Sequence, residues 1–161
     1  MVRRPPKYQP EQLLKMLRIA SQLRNQMLDA GFTDNGGAIH SAERILNILG
    51  MRLVYPDLSH INNLRHLPTA EFSRKAKEAH AEGERVLIEH VSPLRALTQE
   101  TIRSIDAGAT DSEIAEFVKS HYRLVLLTAD ETSHLNKLNR SRMDSARLAS
   151  AGIDLIEVPP K

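Results

Sequence analysis

The apolar run Leu124-Val125-Leu126-Leu127, set between Arg123 and Thr128, is the tightest constraint on how this chain folds. It is short and has no polar member, so it reads as a buried strand. Thr128-Ala129-Asp130-Glu131 follows at once, with threonine at the N-cap position and glutamate three residues on, the pattern of a capping box. A helix is therefore expected to leave directly from that strand. A second apolar run, Val86-Leu87-Ile88, leads into Glu89 and His90. Ser92-Pro93 then suits the cap and first turn of another helix.

The rest of the chain reads mainly as helix. Residues 1–10, with Pro5, Pro6 and Pro10, are expected to form a flexible, basic, proline-rich arm. From Glu11 to about Ala30, Leu13, Leu14, Leu17, Ile19, Ala20, Leu23, Met27 and Leu28 recur at helical spacing, and Gly31 stops the pattern. Thr33 to Gly37 is a turn by composition. A second helix is expected from about Ala38 to Leu49, ended by Gly50, which makes an α-hairpin with the first. Met51 to Tyr55 reads as a short strand or extended link. Further helices are expected from Thr69 to about Ala81, from Pro93 to about Ala107, and from the Thr110–Glu113 capping box to about His121. Ile153 to Val158 alternates apolar and charged residues and suits an edge strand before Pro159-Pro160. The sum is a mainly α, α+β chain with a single domain over 11–161. Its helical half spans 11–83, and its strand–helix half spans 84–158 and carries a small C-terminal sheet of about three short strands.

Composition narrows the chemistry. The chain has no cysteine, which removes disulfides, thiolate nucleophiles and cysteine-ligated metals and suits a reducing, cytoplasmic setting. No apolar run approaches membrane-spanning length, so no membrane partner is expected. Aromatics make up 4% of residues and tryptophan is missing, which disfavours base stacking as the main activity. The net charge of +2 is weakly basic, but the basic residues cluster. Lys137, Arg140, Arg142 and Arg147 form one group, read either as a nucleic-acid-binding face or as a solvated surface.

Chemistry concentrates at Glu89 and His90. An acid and a histidine at a strand end can act as metal ligand and general base, or as a buried, hydrogen-bonded corner. The helix after Thr128 presents Asp130 and His134 four residues apart, hence on one face, with Asn136 close by. Glu89 with His134 or Asn136 could supply ligands to a divalent ion, leaving His90 to take a proton from water.

Glu89-His90-Val91-Ser92-Pro93 resembles the opening of the HNH, or His-Me finger, nuclease motif, in which an acid directly precedes the catalytic histidine and a later helix supplies asparagine or histidine. That resemblance covers about fifty residues. It implies a metal-dependent nucleic-acid hydrolase with His90 as general base, Glu89, His134 and Asn136 as ligands, and Mg²⁺ or Mn²⁺ as cofactor. Two other classes stand beside it. One is a non-enzymatic helical DNA-binding or regulatory protein, for which the 108–118 segment looks like the first helix of a helix-turn-helix unit. The other is a protein–protein adaptor or inhibitor that uses the N-terminal helices, with or without self-association.

Overall fold

The computed structural model describes residues 8–156. They are mostly helical with one small antiparallel sheet, a mainly α, α+β fold, and they divide into two compact units. No helix among the described residues is long and apolar enough to cross a membrane.

The first unit comprises the chain up to Ser59 together with Leu97–His121. Helix α1 (Pro10–Asp29) starts with proline in its first turn, and the Gln9 N–H donates to Gln12 Oε1 at 3.3 Å. Gly31, at φ +94°, lets the chain leave the helix in a conformation that costs any other residue strain. The following turn is fixed by Thr33, whose hydroxyl accepts from the Gly36 N–H at 2.9 Å, and by Asp34, which takes two bonds from Arg24 and one from Gln99. Helix α2 (His40–Val54) packs along α1, burying Ala42, Leu46 and Leu49 against the face that carries Leu13, Leu14 and Leu17. It runs through Gly50 and absorbs the segment expected to be extended. Gly50 is buried, as are Leu46 and Leu49 just before it, and that burial offsets the roughly 1 kcal/mol a mid-helix glycine costs. The segment Leu97–His121 completes this unit, with Ile102, Ile114 and Val118 buried in its two helical stretches. Thr110 caps the last helix of this unit, with the Glu113 N–H donating to Thr110 Oγ1 at 3.2 Å, while the Glu113 carboxylate accepts from the Thr110 hydroxyl at 3.1 Å rather than from its backbone N–H.

The second unit comprises His60–Ala96 and the chain from Tyr122 onward. A short 3₁₀ helix, Ile61–His66, precedes α3 (Arg74–Ala81), which Ser73 caps by accepting from the Ala76 N–H at 3.0 Å. The charged helix thus begins five residues after Thr69. Strand β1 (Leu87–His90) pairs antiparallel with β2 (Leu124–Leu127), placing Glu89 opposite Val125 and His90 opposite Leu124. Between them in sequence lie α4 (Leu94–Asp106) and α5 (Asp111–His121), the two helices that contribute Ile102, Ile114 and Val118 to the first unit. After β2 come α6 (Ala129–Leu138) and the single turn α7 (Arg147–Ser150).

Strand β2 is flanked on its other edge too. The Leu126 N–H donates to Glu71 O and the Ser73 N–H to Leu126 O, a one-residue parallel bridge through Phe72. That inner position explains its uniform apolarity. The expected third strand is reduced to a single antiparallel bridge between Leu155 and Ser73. On one side the partner segment enters α3 at Arg74, and on the other the Ile156 N–H donates to Phe72 O at 2.9 Å at the last described residue. The rest of the expected strand, from Glu157, and the arm up to Lys7 lie outside the described residues.

Candidate functional site

Strand geometry decides where Glu89 and His90 point. Neighbouring residues of a strand project to opposite faces. Val125 and Leu127 on β2 pack with Leu135 of α6 and with Leu148, Ala151 and Ile153, and Val91 packs against the same cluster. Glu89, cross-strand from Val125, shares this face. His90 takes the opposite one, where its ring meets the Tyr122 ring edge-on at 5.5 Å and 81°. The adjacent acid and histidine are therefore separated by the sheet.

The group that meets Glu89 is Arg147. Its side chain is 1% exposed, and its Nη2 lies 3.3 Å from Glu89 Oε1. The same guanidinium donates through Nη1 to the carbonyls of His90 (2.9 Å) and Val91 (3.3 Å), and through Nε to the carbonyl of Asn139 (2.8 Å). The planar fork of arginine fits this arrangement, where a lysine would offer a single point charge. One side chain thus closes the end of β1, satisfies a carbonyl at the C-terminus of α6 and anchors α7, which bears it.

Burial pushes the Glu89 carboxyl above the ordinary carboxylate range, while the charge and hydrogen bond of Arg147 pull the other way. Burial also brings the His90 imidazole down to about 4, and the Arg147 charge adds to that shift. His90 is accordingly neutral at pH 7 and a much weaker base than an exposed histidine.

The other expected ligands are placed differently. His134 is exposed on α6 and Asn136 is half-buried beside the inward-facing Leu135. Glu89 already faces a buried guanidinium, and a divalent cation brought to its carboxylate would sit against that positive charge. Among the described residues no group of three or more His, Asp or Glu side chains is placed to hold a metal ion.

The basic group divides as well. Lys137, Arg140 and Arg142 are exposed, whereas Arg147 is buried and its donors are spent inside the protein, which removes it from any nucleic-acid face. The segment bearing the exposed three is held at its backbone: Asn139 Oδ1 accepts from the Arg142 N–H at 2.9 Å, and the Asn139 carbonyl accepts from Arg147. Sequence reasoning missed the role of Arg147. The only local signal is its position directly before Leu148 in a short apolar stretch, and its carboxylate partner is 58 residues away. No family model, curated protein or solved structure matches the chain.

Proposed function

We propose that this chain is a non-enzymatic nucleic-acid-binding protein that grips the phosphate backbone with Lys137, Arg140 and Arg142. One observation carries this reading. These exposed cations fall within one short segment and, among the described residues, none of their side chains is in an ion pair. Elsewhere Arg18, Arg24, Arg74, Arg123 and Arg147 each spend their charge on a carboxylate. Unpaired cations on the last turn of α6 and the pinned segment after it create a local positive potential that phosphate can neutralise without first breaking a salt bridge.

The scarcity of aromatic side chains favours backbone contact over base stacking, so binding is expected to tolerate many sequences. A hydrolytic reading has less support, because Glu89 is held by Arg147 and His90 projects to the other face of the sheet.

The test is fluorescence anisotropy of a labelled mixed-sequence duplex and of its single strand, with EDTA present. Three phosphate contacts predict a loss of roughly 40-fold in affinity between about 50 and about 200 mM salt. The triple variant Lys137→Gln, Arg140→Gln, Arg142→Gln should lose most of the affinity and of the salt dependence. Equal binding by the triple variant, or no binding at low salt, would overturn the proposal. Nicking of plasmid with Mg²⁺ or Mn²⁺ that is lost in His90→Ala would restore the hydrolase reading in its place.

A further inference from the structure

Helix α1 has two apolar faces, and among the described residues only one of them is covered. Leu13, Leu14, Leu17 and Ala20 are buried, whereas Met16, Ile19 and Leu23 are 43%, 51% and 47% exposed. At about 100° per residue those three form one stripe, roughly 130° around the helix from the buried face. Gln12 and Gln26 extend the stripe at either end and are also exposed. The spacing 12, 16, 19, 23, 26 alternates four and three residues, the seam that a second helix packs against.

The composition of this seam specifies the second helix. Read in either direction it is glutamine, three apolar residues, glutamine, centred on Ile19. We infer that the occupant is α1 of a second copy of this chain, packed antiparallel about a two-fold axis at Ile19.

In that arrangement Ile19 meets its own counterpart, Met16 lies against Leu23 of the other copy, and Gln12 lies against Gln26. A two-fold interface must be self-complementary, and glutamine satisfies this because each amide both donates and accepts. No charged residue lies in the seam. Lys15, on its rim, falls beside Gln22 of the other copy, and Glu11 and Asp29 lie roughly 110° away from the stripe. The antiparallel sense also opposes the two helix dipoles, which a parallel pair would align.

A single helix stripe covers roughly half of the ~800 Å² per partner typical of a standard interface, so the dimer should be weak, with a micromolar or higher dissociation constant. This inference is independent of the nucleic-acid reading, since α1 carries none of the residues proposed for phosphate.

Sedimentation velocity on the full chain, across concentrations from micromolar upward, should show conversion from monomer to dimer. Ile19→Glu should remain monomeric throughout with an unchanged circular dichroism spectrum, because Ile19 is exposed and its loss leaves the core intact. The chain has no cysteine, so the sense of packing can be read by cross-linking. A mixture of Gln12→Cys and Gln26→Cys chains should form the mixed disulfide in excess over either homodisulfide. A monomer at every concentration, a dimer undisturbed by Ile19→Glu, or preferential Gln12→Cys homodisulfide would each overturn the inference.

Discussion

Arg142 and Arg147 lie five residues apart in sequence, and they could hardly be placed more differently. The first, with Arg140 and Lys137, is exposed and pairs with no carboxylate among the described residues. The second is buried and holds three backbone carbonyls and Glu89. Charge and proximity put all four in one group, but where the donors are spent separates them. A buried arginine whose hydrogen bonds are all internal shapes the surface from beneath, and an exposed one on a pinned segment is free to meet a ligand.

The contrast is broken most forcefully at Arg147. Arg147→Ala leaves Glu89 buried without its partner and strips the carbonyls of His90, Val91 and Asn139 of their donor. It should cost about 3–5 kcal/mol of unfolding free energy, measured by urea denaturation. Arg140→Gln and Arg142→Gln should each stay within about 0.5 kcal/mol of the parent. Comparable losses at all three positions would erase the distinction.

Acid comes next in size. The His90 pKa falls from its unfolded value near 6.5 to about 4 on folding, so the unfolded chain binds the proton more readily. Stability contributed by the neutral ring is complete above about pH 6.5 and is lost as pH falls toward 4, by up to about 3 kcal/mol. Glu89 acts in the opposite sense. Its raised folded pKa means stability is lost as pH rises through that value and regained on acidification. Denaturation curves between pH 7.5 and 4 should therefore flatten in His90→Phe, which keeps a ring against Tyr122, and steepen in Glu89→Gln. A slope in His90→Phe equal to the parent's in this window would contradict the burial assigned to His90.

The smallest effect belongs to the exposed segment taken one residue at a time. Removing a single cation from it should reduce the slope of log affinity against log salt by about 0.9 without altering stability. A slope that is unchanged at all three positions would place the phosphate contacts elsewhere.

Local chemistry explains why some of this was legible in the sequence. The β2 strand announces itself because it is covered on both faces, and the N-cap at Thr110 and the capping box at Thr128 are spelled out within four residues. Features decided by distant parts of the chain were not legible. Gly50 looks like a helix stop until its burial is known. Ile153 to Val158 alternates like a strand, yet its neighbour offers a single bridge at Ser73. Glu89 and His90 read as one constellation because they are adjacent, and strand alternation parts them. Arg147 reads as surface charge because nothing nearby reveals a carboxylate 58 residues earlier.

The most direct test of the account measures two quantities on two variants: thermal unfolding and duplex affinity for Arg147→Met and for Arg140→Gln with Arg142→Gln. The account predicts a clean separation. Arg147→Met should lower the melting temperature and, below its transition, still bind nucleic acid through the exposed cations. The double variant should melt with the parent and bind more weakly, with a flatter salt dependence. A folded Arg147→Met protein that has lost nucleic acid outright, beside a double variant that binds as the parent does, would contradict it.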